Sequence, residues 1–342
     1  MSEEMTPAAA GSGTETTNAA GHRARVSAYV QRFGILIALV LLCVVLSIAN
    51  EYFLTTRNIV NVLRQTSING ILAIGMTFVI LTRGIDLSVG SVVALAGVVS
   101  ATFATTSSIA SIAGGPYPAV IALVIGIGVG MGAGAVSGVL VARYNVPAFV
   151  ATLGMLSAAR GLTLLASGGR PIPALTDGYR WIGTGDVWGI PLPVVIFAAV
   201  FFVSWYVLSS TRFGRRVYAA GGNPHAATVS GINVTRIRFS VYVISGALAG
   251  LAGMILAART GSALPQAGIA YELDAIAAVV IGGTSLAGGV GHVGGTLIGA
   301  LLIGVVNNGL DLMGVESYYQ QVIKGVLIVA AVLLDQSRNR RA

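Results

Sequence analysis

The side chains of this sequence that could do covalent chemistry are few, and they are badly spaced for it. Lys324 is the single lysine, and Gly325 follows it. A P-loop needs Lys followed by Ser or Thr after a glycine-rich turn, so the chain has no Walker A site with which to hydrolyse ATP. His22, His225 and His292 are scattered without metal-ligand spacing. Neither a G-x-S-x-G elbow nor an H-E-x-x-H helix occurs. Cys43 lies alone in an apolar run and can form no internal disulfide. No catalytic residue and no metal site is expected.

What remains are polar groups that could dock a partner or line a path. Thr211–Arg238 is basic between two apolar segments: Arg212, Arg215, Arg216, Arg236 and Arg238 face no acid within it. Short loops with such an arginine excess stay in the cytoplasm. Inside it, Asn223 suits an N-cap, Pro224 the first helical position and Gly231 the end, which predicts a surface helix of about two turns. The stretch is either a solvated loop that sets topology or a docking helix for a cytoplasmic partner. Thr82–Ser91 interrupts apolar sequence with Arg83 and Asp86. Asp86 is either solvated at a membrane edge or turned inward at the mouth of a pathway, with Thr82 and Ser88 beside it and Arg83 in reach to pair. Arg160 falls deep in an apolar run, where a charge needs a partner or water. Asn307 and Asn308 suit interhelical hydrogen bonds or substrate contacts, and Lys324 either snorkels outward or stays within the bundle. Glu272 and Asp274 are solvated, or meet an extracytoplasmic partner.

The elements that must carry these groups follow from composition. The chain has 342 residues, 55% hydrophobic and 9% charged, with 46 glycines; soluble domains carry roughly 25% charged residues. Repeated apolar runs of about 18–22 residues define an all-α polytopic membrane protein. The net charge of +8 sits at segment ends, so it orients the chain and does not imply nucleic acid. About ten spans are predicted, near 33–49, 66–82, 88–106, 118–141, 147–166, 190–208, 237–258, 273–288, 293–310 and 318–335. The eighth is short and glycine-bounded, so it reads as broken or re-entrant. Residues 1–32 form a polar, disordered cytoplasmic tail, 33–335 a single membrane domain, and 336–342 a cytoplasmic C-terminal tail. The first run is taken as an uncleaved helix, not a signal peptide. Arg83, Arg143 and the arginine loop agree with this orientation; Arg57 and Arg64 land outside and disagree with it. Glycines four apart at 126, 130, 134 and 138, at 246 and 250, and at 295 and 299 predict close helix packing. Tyr179, Trp181 and Trp188 suit an outer interfacial belt.

Four motifs then carry a resemblance: GIDLSVGS at 84–91, YAAGGNPHAATVSGINV at 218–234, YELDAIAAVVIGGTSLAGGVGHVGGTLIGA at 271–300 and NNGLDLMGV at 307–315. In this order they closely resemble the permease subunits of bacterial monosaccharide ABC importers, of the ribose type, over roughly Asn58–Asp335. The resemblance implies a ten-helix fold similar to the vitamin B12 importer permease, in the bacterial inner membrane with both termini cytoplasmic. It implies a second permease copy, identical or related, and cytoplasmic ATP-binding subunits that use the ATP and Mg, so that this chain binds no cofactor. It also implies an extracytoplasmic sugar-binding protein. The coupling helix of such permeases maps to Gly221–Gly231, with Gly221, Gly222, Asn223, Pro224, His225, Ala226, Ala227 and Gly231 as its candidate residues. A ribose-like pentose is the first substrate expected; another sugar, a polyol or a furanose-derived signal is the alternative, with branched-chain amino acids more distant. An ion-coupled carrier needs an intramembrane acid, and Asp86, Glu272 and Asp274 all fall near predicted span ends.

Overall fold

A computed structural model describes residues 34–108, 111 and 115–339; the N-terminal tail and Arg340 and Arg341 lie outside them. Helix α1 is Gly34–Ala49. It is followed by α2 (Thr56–Leu81), α3 (Val89–Ala104), α4 (Ala119–Ala142), α5 (Ala148–Ser167) and the short α6 (Asp177–Thr184). A two-residue hairpin, β1 (Asp186–Val187) with β2 (Ile190–Pro191), leads into α7 (Leu192–Ser210). Then come α8 (Arg212–Gly222), α9 (Pro224–Val229), α10 (Val234–Thr260), α11 (Tyr271–Ile281), α12 (Val293–Leu312) and α13 (Ser317–Asn339). Among the described residues six helices are long and apolar enough to cross a membrane, and α1 and α3 are shorter apolar helices. The protein is thus an all-α polytopic membrane protein.

The bundle is built around α2 and α10. From Thr66 to Leu81 every residue of α2 is buried, as expected of a helix apolar all round. Helix α10 lies against α4 through glycine on both sides: a Cβ at Gly130 would strike the Gly246 carbonyl, and one at Gly246 would strike the Gly130 carbonyl. Lipid gives apolar helices no hydrophobic reason to pair, so backbone-to-backbone approach supplies the packing contacts instead. The four-residue glycine spacing is therefore a packing device, as expected. Helices α5 and α7 sit at the periphery with most of their surface exposed.

Three local readings change and a fourth holds. Helix α2 starts ten residues earlier than its apolar run, because the Thr55 hydroxyl accepts from the Asn58 amide and starts the helix in polar sequence. At 26 residues it is about 39 Å long against a hydrocarbon core of about 30 Å, so Arg57 and Arg64 ride on its protruding end. Tyr179 is fully buried and its hydroxyl meets Ser100 Oγ at 2.7 Å; only Trp181 and Trp188 are exposed enough for a belt. The arginine loop contains an additional helix, α8, whose Val217, Ala220 and Gly221 face inward while its arginines face out. Helix α11 has 11 residues, about 17 Å, half a bilayer crossing. It stops at Gly282 and non-helical chain continues to His292, so the expectation of a broken eighth segment holds.

The connectors fall at two ends. Thr152 on α5 donates to Ile85 O at 3.2 Å and Gly289 N donates to Leu81 O at 3.0 Å, which gathers the α2–α3, α4–α5 and α11–α12 connectors with α8. At the other end Asn50 reaches Leu312 O at 3.1 Å, Arg259 reaches Asn61 at 2.7 Å, and Ile172 pairs with Ala263.

Candidate functional site

The short helix α9 is capped at both ends by its own sequence. Asn223 accepts from the Ala226 amide at 3.0 Å and Pro224 occupies the first turn. At the far end Ser230 closes the helix, Gly231 turns left-handed at φ 80°, and the Ile232 and Gly231 amides return to Ala227 O and Thr228 O at 2.9 Å each. That pair of bonds is a Schellman motif and satisfies carbonyls the helix would otherwise leave open. Ala227 is buried beneath α9, while His225, Ala226, Thr228 and Val229 are exposed. The unit is a six-residue peg with its polar backbone closed internally.

Gly221 and Gly222 do not belong to that peg, contrary to the sequence assignment. They are the last turn of α8, because Asn223 takes an extended conformation (φ −147°) and separates the two helices. Their role is contact with the bundle. A Cβ on Gly221 would strike the Leu81 carbonyl, and the Gly289 amide lies beside it. Gly222 has open space where its Cβ would be. The Arg83 guanidinium donates to both Gly221 O and Gly222 O, so it caps the C-terminal carbonyls of α8 with a positive charge. Arg83 holds a left-handed backbone (φ 65°) to do so, a strained state that persists where surrounding contacts demand it. It does not pair with Asp86. Tyr218, one turn earlier in α8, donates to Gly291 O at 2.9 Å, and burial raises its phenol above the ordinary value. The start of α9 is thereby fixed to the α2–α3 and α11–α12 connectors.

Asp86 lies in the α2–α3 connector, outside the helices, and is 1% exposed. Oδ1 accepts from the Ser88 amide and hydroxyl, and Oδ2 from Ser245 of α10 at 2.9 Å. Burial pushes its carboxyl up, and the Ser88 and Ser245 hydrogen bonds oppose that shift. Thr82 is buried with its hydroxyl on Val79 O at 2.9 Å.

At the other end sits a second polar group. Lys324 of α13 makes an ion pair with Asp274 of α11 at 3.0 Å, and Asn307 of α12 donates to the same oxygen at 3.2 Å. Asn308 and Asn58 exchange reciprocal bonds at 2.8 and 2.9 Å. Lys324 therefore points inward and does not snorkel. Asp274 is 2% exposed, which leaves it no surface for a docking protein; half-buried Glu272 keeps some. Asp86 and Asp274 are both buried despite lying near span ends, so that argument against an ion-coupled carrier does not stand; what disfavours one is that fixed donors already occupy both carboxylates. Arg160 donates to Pro265 O and Ala267 O at 2.6 and 3.1 Å, which clamps α5 to the α10–α11 connector. Sequence reasoning missed a cavity of about 700 Å³ at this end, lined by Arg57, Arg64 and Arg259 with Asn58 and Asn61. Arg57 and Arg64 looked like topology errors; their meeting with Arg259 across 195 residues is visible only in the fold. The candidate path residues thus form separate groups, with Thr82, Asp86 and Ser88 at one end and Asn307 and Asn308 at the other.

Comparison with known proteins places the chain in a family. Residues 58–332 match the family model described as a branched-chain amino acid transport system / permease component. The chain belongs to this permease family. The ribose import permease protein of Escherichia coli (strain K12) is 48% identical over 328 residues, 95% of this chain and 99% of the relative. That of Bacillus subtilis (strain 168) is also 48% identical over the same shares of both chains. The D-allose transport system permease protein of Escherichia coli (strain K12) is 40% identical over 85% of this chain and 86% of its own. No solved structure matches. A permease of this family is a transporter component and not an ATPase.

Proposed function

We propose that this chain is the membrane permease subunit of an ABC importer for ribose, working in the bacterial inner membrane. The observation that carries this is 48% identity to ribose import permeases along 95% of the chain. Ten helices, α1–α5, α7 and α10–α13, form the membrane domain in an arrangement like the vitamin B12 importer permease, with both termini and α8–α9 on the cytoplasmic side. Two copies, identical or related, surround the path. Cytoplasmic ATP-binding subunits hold the ATP and Mg, this chain binds no cofactor, and an extracytoplasmic binding protein supplies the sugar. No nucleic acid is involved.

In this reading α9 is the coupling helix, with His225, Ala226, Thr228 and Val229 toward the ATPase. Gly221 and Arg83 make α9 and two bundle connectors move as one body, so a displacement at the ATPase shifts the equilibrium between inward and outward access. Asp86, Asn307 and Asn308 hold the bundle, since their bonds are spent on neighbouring elements, while Thr82 and Ser88 bond locally to Val79 O and Asp86. Arg160 spends one guanidinium nitrogen on the α10–α11 connector, and its remaining N–H groups are what this reading assigns to the path. Glu272 and the arginine cavity face the binding protein. The test is reconstitution of the complex with its ATPase and binding protein in liposomes: ATP-dependent uptake of labelled ribose is expected, and uptake without ATP would favour an ion-coupled carrier. A cysteine at His225 should cross-link to the ATPase subunit.

A further inference from the structure

Beside the α8–α9 joint lies a cavity that this mechanism does not use. It has a volume of about 190 Å³ and is lined by Arg83, Arg238, Asn145, Pro147 and Tyr242, among others, with no acid in its wall. Three observations give it one chemistry. The first is charge: two arginines line it, and Arg83 has committed only two of its five N–H groups to the α8 carbonyls. The second is the N-terminus of the 20-residue helix α5, whose cap position is Pro147 and receives no side-chain hydrogen bond; its first amides leave a positive end at the cavity. The third is independent of both. Tyr242 is fully buried, and its hydroxyl, set against Gly84 on the cavity wall, has no hydrogen-bond partner. An acceptor at that wall would satisfy it. Both oxygens of Asp86, in the same connector as Arg83, accept from Ser88 and Ser245.

We infer that this cavity binds the phosphate of a phosphate monoester. Two arginine forks, open helix amides and one hydroxyl donor are what such a group accepts from. The volume lies below the roughly 300 Å³ of sites that enclose a whole drug-sized ligand, so the phosphate enters and the rest of its molecule stays outside. The group comes from a soluble phosphate or from the headgroup of a phosphatidic acid at the membrane surface. Because Arg83 serves both the cavity and the α8–α9 joint, an occupant stiffens that joint. The inference does not depend on which subunit α9 meets.

The test uses the full-length protein in nanodiscs. In phosphatidylcholine discs at constant ionic strength, inorganic phosphate in place of chloride raises the melting temperature if the source is soluble. If the source is a headgroup, phosphate has no effect, while discs containing phosphatidic acid melt higher and native mass spectrometry retains that lipid. In either case Arg238→Gln weakens binding roughly tenfold, the loss of one charge-assisted bond, and Tyr242→Phe weakens it less without lowering the melting temperature of the empty protein. Absence of a shift in both kinds of disc, or equal shifts in wild type and Arg238→Gln, overturns the site. Neither result touches the coupling assignment, which the cross-link at His225 reads separately.

Discussion

The joint at α8–α9 and the joint between α11 and α13 are held by opposite means. At the first, backbone meets backbone: Gly221 lies on the Leu81 carbonyl, Gly289 donates to that same carbonyl, and Arg83 ties two more carbonyls. At the second, a side-chain ion pair joins α13 to the half-length helix α11, whereas α12 meets α11 through backbone as well, since a Cβ on Gly299 would strike the Ala278 carbonyl. Backbone contact has no rotamers to relax through, so the first joint is stiff. A single ion pair between long side chains allows its helices to shift while remaining bonded, so the second is compliant. A transporter driven from one end needs stiffness where force enters and give where the bundle must rearrange.

The largest effect should come from breaking the compliant joint at one partner. Asp274→Ala leaves the Lys324 ammonium buried without a counterion and should cost about 3–5 kcal/mol, read as a lower melting temperature in nanodiscs. The double change Asp274→Leu with Lys324→Met should recover most of that loss; if it does not, the pair does more than hold helices together. Next is the stiff joint. Gly221→Leu forces a side chain onto the Leu81 carbonyl and should cost about 1–3 kcal/mol, with loss of sugar-stimulated ATP hydrolysis in the reconstituted complex. Asn223→Ala removes the α9 cap and should cost about 1 kcal/mol, with weaker coupling in the same assay. The smallest change in stability is expected for Gly222→Trp, since nothing occupies the space beside it. It should insert and melt like wild type yet lose ATPase coupling. Gly221 and Gly222 then separate the two functions of one turn, fastening and docking, and normal hydrolysis in Gly222→Trp would erase that distinction.

Much of this was legible in order along the chain. The caps of α9 were, because Asn223, Pro224 and Gly231 act within a few residues of themselves. So was the broken α11, because its glycines interrupt an apolar run too short to span. The glycine stripe on α4 announced close packing without naming α10 as its partner. Helix α8 was passed over because five arginines made the segment look like open loop, although Val217, Ala220 and Gly221 already marked an inward face. Tyr179 was turned the wrong way, and Lys324 left open, for one reason: a polar atom on a long side chain suits an interface equally well as a buried site, and only the presence of Ser100 or Asp274 decides. Arg83 was matched to Asp86 three residues away, whereas its acceptors lie 138 and 139 residues on.

The sequence by itself determined the membrane class, the place of the capped helix α9 and the family, because each depends on composition, local spacing or an uninterrupted run of motifs. Only the tertiary structure decided which carboxylate meets which cation, which glycine carries a backbone contact and which arginines share a cavity. Those are matters of distance between segments far apart in the chain, and a one-dimensional pattern contains no such distances.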